Sequence, residues 1–309
     1  MRYSKIMAKV DVGALHDSIL YRPQELVDQA ERSFHKKIMA VCDDTLKNDC
    51  HLIMITGPSA SGKTTTAKKI VAELEERGHK VTRISLDNFY KNRDSLPFWS
   101  DGYKNCESIE SMDLLLFEQV IGTLLTKGFA HLPVYDFSTG NRAERTIPVS
   151  CDDDTYLVIE GIHAINPELS RCISQFPSLS VYISVHSDFI DPQGNILLHA
   201  RDLRLMRRIL RDQVHRHTSV METLKMWDYV LKGEELYMQP YRGFADFHIN
   251  STHVYEPFLY RDNLLKAFDN PEIFSAYPQT AQRLCSAAEN FATLSQQLVP
   301  PSSLIQEFL

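Results

Sequence analysis

The stretch LIMIT, Leu52–Thr56, is apolar up to its last residue. An apolar run of this length with no polar alternation fits a strand buried on both faces, as in a parallel sheet. Upstream, residues 23–42 carry Leu26, Ala30, Phe34 and Ile38 at every fourth position. That is one face of a helix, opened by Pro23 in its first turn. Downstream, residues 63–77 read as a helix with Gly78 as its C-cap, and residues 80–87 as a second strand. Residues 112–128 form an apolar-rich helix ended by Gly128. Residues 131–137 and 145–150 read as short strands of a hairpin around 138–144. TYLVIEG (155–161) and LSVYISV (179–185) supply a third and a fourth strand, and the more polar ADFHINS (245–251) a fifth. Residues 200–213 and 219–232 read as helices, and the tail from 257 as helical until PPSS breaks it at 300–303. No internal repeat and no low-complexity segment is present. Strands alternating with helices predict an α/β fold: a mostly parallel five-stranded sheet flanked by helices.

The bulk composition narrows the classes. The 309 residues are 43% hydrophobic and 24% charged, with net charge −7, ordinary for a globular enzyme. No clustered basic patch suggests a nucleic-acid or membrane surface. The six cysteines (Cys42, Cys50, Cys106, Cys151, Cys172 and Cys285) form no C-x-x-C pair, which disfavours a zinc or redox motif and fits reduced thiols in the cytoplasm. The first 18 residues lack the apolar core of a signal peptide, and no stretch approaches the ~18 apolar residues of a membrane span. The expectation is a cytoplasmic protein with no nucleic-acid or membrane partner. Self-association into a homo-oligomer stays open.

Chemistry concentrates after the first strand. GPSASGKT matches the phosphate-loop pattern at Gly57, Gly62, Lys63 and Thr64. In such a loop the backbone amides, here those of Gly57, Ser59, Ala60, Ser61, Gly62 and Thr65, turn around a phosphate, and the following helix N-terminus adds partial positive charge. Lys63 reaches the outer phosphates and the Thr64 hydroxyl is placed to ligate Mg²⁺. The strand before and the helix after are the context this motif requires. Glu160 ends the third strand, where an acid either points into the phosphate site to hold the metal or merely occupies a strand exit. Asp87 follows the second strand. It reads equally as a proton acceptor for an attacking hydroxyl or as an Asx-type cap of the next turn. In RDLRLMRRILRD, Arg204, Arg207, Arg208 and Arg211 share one helix face. That face is either solvated and paired with Asp202 and Asp212 or, as favoured here, a lid that clamps phosphate. His215 and His217 lack a third metal ligand nearby, and CDDD at 151–154 reads as a solvated turn.

GPSASGKTT, SLDNFY, YDFSTGNR, VIEGIH and RDLRLMRRILRD occur here in the order found in the uridine kinase and phosphoribulokinase family of P-loop kinases, which the chain resembles from about residue 52 to 256. The stretches 223–241 and 245–256 further resemble a bacterial branch of uridine kinase-like nucleoside kinases. The resemblance implies three parts: an N-terminal helical extension (1–48), a P-loop kinase domain (49–260) with an arginine-bearing helical lid, and a C-terminal helical extension (261–309). It implies ATP with Mg²⁺ as cofactors and a nucleoside as substrate. It gives Asp87 the role of base for the nucleoside 5′-hydroxyl, Tyr90 a wall of the nucleoside pocket, and Glu107 a grip on the ribose hydroxyls. Tyr135 and Phe137 would lie against the base, with Arg142 in reach of its edge. Arg204 falls on the sugar side, and Arg207, Arg208 and Arg211 on the phosphate side. The sequence departs from pyrimidine kinases of the family at Gly140, where they carry a base-contacting histidine; glycine there leaves space, and either Asn141 or Arg142 reaches the base edge instead or the pocket is looser and admits other bases. The alternatives are a P-loop kinase of another small alcohol, such as a sugar phosphate or a pantothenate-like acid, and a nucleotide-binding module without catalysis. A regulatory GTPase would carry an N-K-x-D motif, which is absent.

Overall fold

The structure, a computed structural model, describes residues 7–171 and 173–309; Cys172 and the first six residues of the N-terminal segment lie outside the described residues. The chain enters through β1 (Ala8–Asp11), α1 (Val12–Tyr21) and α2 (Pro23–Lys47), then reaches β2 (Leu52–Thr56), α3 (Lys63–Glu76) and β3 (Lys80–Ser85). Next come α4 (Leu114–Lys127), a hairpin of β4 (Phe129–Asp136) and β5 (Asn141–Ser150), β6 (Thr155–Glu160), α5 (Pro167–Arg171) and β7 (Ser178–Ser184). The remainder holds β8 (Ser187–Ile190), β9 (Ile196–Leu198), α6 (Ala200–His215), α7 (Val220–Tyr237), β10 (Phe247–Asn250), α8 (Glu256–Ala267), α9 (Pro271–Ala276) and α10 (Pro278–Glu289). Five strands form one parallel sheet in the order β10-β7-β2-β6-β3. The predicted five-stranded α/β sheet is therefore present, with β2 at its centre.

The apolar run of β2 is continuous because both faces of the sheet are covered. Ile53 and Ile55 enter one core with α2, α3 and the C-terminal helices, while Leu52 and Met54 enter a second core with α4 and the hairpin. Leu26, Phe34 and Ile38 on α2 are buried in the first core, and Ala30 packs against it. Leu264, Leu284, Leu304, Ile305 and Phe308 share that core, so the segments flanking the kinase-like region are built on its sheet rather than beside it.

Several elements differ from the sequence expectation. A second, three-stranded sheet, β1-β8-β9, was not foreseen; its strands are three or four residues long, too short for a period to show. The α1 helix, N-capped by the Asp11 carboxylate at the Gly13 and Ala14 amides, was likewise missed. The hairpin strands are longer than expected, and α7 runs on to Tyr237. The second strand stops at Ser85, and Leu86–Phe89 form a 3₁₀ turn that carries Asp87. The arginine-bearing helix α6 is not a free-standing lid. α7, α8 and the Leu304–Phe308 turn all pack against it, and every residue from Asp202 to Asp212 is buried.

At the centre of that packing Arg207 and Glu256 form an ion pair with neither side chain exposed. Arg207 Nε donates to Glu256 Oε2 at 2.6 Å and Nη2 to Oε1 at 2.8 Å. The same guanidinium donates to the Ser251 carbonyl and hydroxyl and to the Ala60 carbonyl of the phosphate loop, and it lies 4.8 Å over the Phe308 ring. Removing one partner of a buried pair strands a charge in low dielectric. Glu256→Ala is expected to cost about 3–5 kcal/mol, read as a lowered midpoint in urea unfolding. A loss below about 1 kcal/mol would mean the pair does not brace the fold.

Candidate active site

Parallel strands deliver their C-terminal ends to one edge of the sheet. Here that edge collects the loop after β2, the turn after β3 and the end of β6. Glu160 pairs in register with Ile55 on one side and Ser85 on the other, which sets its carboxylate between the phosphate loop and the Asp87 turn. Within the loop, Gly57 passes so close to β7 that an added Cβ would come 2.1 Å from the Ile183 carbonyl oxygen; only glycine fits. The loop opens directly into α3, with Thr66 N–H donating to the Gly62 carbonyl.

The sequence-predicted phosphate and metal residues meet. Thr64 Oγ1 stands 3.5 and 3.4 Å from the two Glu160 oxygens, and Lys63 Nζ turns back to donate to the Pro58 carbonyl at 3.2 Å. Burial pushes the Glu160 carboxyl up, and neighbouring Asp87 pushes it further; Lys63 and Arg83 oppose this. A hydroxyl and a carboxylate are the hard oxygen donors Mg²⁺ takes, with the remaining positions filled by phosphate and water. The donor set therefore fits that ion, although among the described residues no group of three or more His, Cys, Asp and Glu is placed to hold a metal.

Asp87 is half-buried in its turn, and desolvation there raises its carboxyl from the usual range, while Lys63, Arg216 and Arg211 pull it back. No described backbone amide donates to its carboxylate, so it is not the Asx cap that the sequence left open. On the acceptor side, Asn105 Oδ1 accepts from the Glu107 and Ser108 amides and sets Glu107. Burial pushes the Glu107 carboxyl up to about 7 despite Arg208 and Lys63. An added Cβ on Gly233 would lie 2.2 Å from that of Glu107, so α7 lies directly on this loop. Tyr90, Tyr135 and Phe137 come together with ring centroids 5.0 to 6.5 Å apart.

The four arginines divide. Arg208 Nη1 donates to Ser59 Oγ at 2.6 Å, and Arg211 donates to Asp212 Oδ1; both stand at the loop. Arg204 donates to Glu234 at 2.5 Å and lies over the Trp227 ring, near Glu107. Arg207 has all five hydrogen bonds committed beneath the loop, so the expectation that it clamps a phosphate is corrected: it is the brace. Arg142 is also committed. It donates to Asp113 and to the Phe89 and Tyr90 carbonyls, which fixes the hairpin to the Asp87 turn and takes it from the base edge. Gly140 does not leave the space expected of it. Its φ of +71° belongs to the hairpin turn, and an added Cβ would meet Arg93 Cβ and Cδ at 3.1 Å.

Three residues were missed in the sequence. Arg83 donates to Glu160 at 3.2 Å. Arg216 pairs with Asp212 at 3.6 Å and faces Asp87. Its spacing four residues after Asp212 was the available signal. Glu307 accepts from Thr65 Oγ1, and nothing local marks it.

A family model described as the phosphoribulokinase / uridine kinase family matches residues 52–255. A uridine kinase of Clostridium botulinum (strain Kyoto / Type A2) is 28% identical over 199 residues, covering 64% of this chain and 86% of that protein. A uridine kinase of Macrococcus caseolyticus is 30% identical over 199 residues, with the same two coverages of 64% and 86%. A solved structure described as a possible uridine kinase from Bacillus stearothermophilus has a TM-score of 0.48 at 20% identity, over 69% of this chain and 97% of that one.

If the loop holds phosphate, Lys63→Ala should abolish ATP binding, since the outer phosphates lose both a charge and a position. Calorimetric titration of both proteins is the check; equal affinity would remove Lys63 from the site.

Proposed function

The chain belongs to the phosphoribulokinase / uridine kinase family and is a P-loop kinase, and from that premise we propose that it transfers the γ-phosphoryl group of ATP to the 5′-hydroxyl of a nucleoside. The observation that carries the reading is Asp87: a half-buried carboxylate facing Lys63 across one sheet edge, with Glu107 and an aromatic cluster on its other side. Glu107, assisted by Arg204, accepts the ribose hydroxyls and sets the sugar. The Tyr90, Tyr135 and Phe137 rings offer flat faces to the base. The 5′-hydroxyl then points toward Asp87, which accepts its proton as the oxygen attacks. Lys63, Arg208 and Arg211 meet the charge on the equatorial phosphate oxygens, and α6 and α7 exclude water from the transfer. Thr64 and Glu160 would hold Mg²⁺, which when bound supplies neutralising charge at the outer phosphates.

A second reading has one observation in its favour. Arg93 occupies the ground beside Gly140 and acts on the Tyr135 phenol, as a pocket for an anionic small alcohol would require. Comparing kcat/KM for uridine, cytidine, adenosine, deoxyuridine and a panel of sugar phosphates decides between the two. A preference for ribonucleosides over both deoxyuridine and sugar phosphates is expected, and sugar phosphates as best substrates would overturn the nucleoside reading.

Two further outcomes follow from the assigned roles. Asp87→Asn should keep the fold and lower kcat by roughly 10²–10⁴, the usual range for a lost general base; a kcat within about threefold of the parent would leave Asp87 without that role. Glu107 should give a pH signature. With its carboxyl pushed up to about 7, it is mostly neutral at pH 6 and mostly ionised at pH 8, and only the ionised form accepts from both ribose hydroxyls. KM for the ribonucleoside should fall about tenfold between pH 6 and 8, and Glu107→Gln should flatten the profile.

A further inference from the structure

The turn Leu304–Phe308 lies far outside the family match, yet it meets the phosphate loop and the two helices beside it at three points: Gly62, Thr65 on α3 and Arg211 on α6. The Leu304 side chain sits on Gly62 so closely that an added Cβ would come 2.5 Å from its Cδ1. Glu307 Oε2 accepts from Thr65 Oγ1 at 2.7 Å, and Glu307 Oε1 lies 3.9 Å from Arg211 Nη1. The Glu307 charge also acts on Lys63 and Arg207. Thr65, Arg211 and Lys63 are groups that the phosphate-loop reading gives to ATP, and here one carboxylate of the chain itself stands among them.

The order of groups along the loop says which phosphate this carboxylate replaces. Lys63 reaches the outer phosphates and Thr64 the metal. Thr65, one residue further into the first turn of α3, faces the phosphate nearer the nucleoside. A carboxylate hydrogen-bonded there satisfies a hydroxyl and complements an arginine at a helix N-terminus that attracts anions. It cannot remain once a phosphate arrives, because two anions at hydrogen-bond distance in a half-buried site repel. The carboxylate is thus suited to the nucleotide-free chain and unsuited as a fixed wall of a triphosphate site. The turn is held from behind. Ser303 Oγ accepts from the Ile305 amide and donates to Glu31 on α2, and Leu304, Ile305 and Phe308 are wholly buried.

We propose that Glu307 is an internal stand-in for the inner phosphate of the donor nucleotide, and that ATP must expel the Leu304–Phe308 turn to bind. The turn therefore restrains nucleotide binding through a contact the family-matched region does not contain. This rests on the phosphate-loop reading given above.

The test uses the full chain. Glu307→Gln keeps the shape and removes the charge. It should bind ATP about tenfold more tightly than the parent by calorimetry, as losing a charged competitor at one hydrogen bond implies. Equal or weaker binding would overturn the proposal. Should the variant fail to fold, hydrogen exchange on the unaltered protein decides: the amides of Leu304–Phe308 should lose protection when ATP is added, and unchanged or increased protection would overturn it. Failure of the underlying reading looks different. The parent and Lys63→Ala would then bind ATP equally poorly, which overturns both, whereas failure of this inference alone leaves the Lys63 dependence intact and the glutamine variant without gain.

Discussion

The Arg207–Glu256 pair is the constraint on which the arrangement of the site depends. One guanidinium, fully removed from water, joins α6, the start of α8, the segment after β10 and the phosphate loop. A buried pair is not a large source of stability against an apolar alternative, because desolvation offsets most of the attraction. What it supplies is geometry. Its planar fork accepts only one relation between Glu256 and Ser251, and its remaining N–H reaches the Ala60 carbonyl at a residue held at a φ of +60°. The shape of the loop is thereby tied to the position of a helix more than a hundred residues away in sequence.

The flanking segments share in this tie. Glu31 on α2 accepts from the hydroxyls of Tyr255 and Ser303, and Lys37 donates to the Asn250 carbonyl. Two elements outside the family-matched region thus converge on the Asn250–Glu256 stretch that carries the brace. His253, in the middle of it, is held neutral: burial lowers its imidazole to about 3, and the Arg207 charge acts in the same direction. Glu256 is already bidentate with Arg207, and Glu31, 3.5 Å from the His253 Nε2, already accepts from Tyr255 and Ser303. The neutral ring fills the space between Phe34 and Tyr255 instead.

Much of this was legible in the sequence, for identifiable reasons. The continuous apolar runs of β2 and β6 mark strands covered on both faces, and the glycines and Lys-Thr of the loop mark a turn that only one backbone path satisfies. The residues that gather at the sheet edge, Lys63, Thr64, Asp87 and Glu160, could be picked out because each directly follows or ends such a strand. The failures share another cause. Arg207 and Arg208 are neighbours on one helix, and nothing local distinguishes them; only the tertiary position of Glu256 turns one of them inward. Gly140 was read as a missing side chain, when the turn needs its positive φ and Arg93 covers the place. Arg142 was given to a ligand because its competitor, Asp113, is distant in sequence. Glu307 was invisible because its partner Thr65 is 242 residues away.

The balance of charge at the loop divides the arginines into two sets. Arg207 has Glu256 and Arg204 has Glu234, each a full partner. Arg208, Arg211 and Arg216 instead share the carboxylate of Asp212, at 3.3, 3.0 and 3.6 Å, with Glu307 3.9 Å from Arg211 as the second acid. Burial lowers Arg208 to about 10, and the neighbouring Arg211 adds to the shift. That is what crowded cations produce when the anions around them are too few. Lys63 adds a further cation on the other side of the loop. Asp87 and Glu160 do not close the deficit, because burial raises both, and the charge of Asp87 raises Glu160 further. Such an excess of positive charge, much of it removed from water, is costly unless an anion completes it, as the proposed function requires. A polyphosphate chain does so with several oxygens at once. On that reading the arginines outnumber the carboxylates beside them because the ligand supplies the remaining anions.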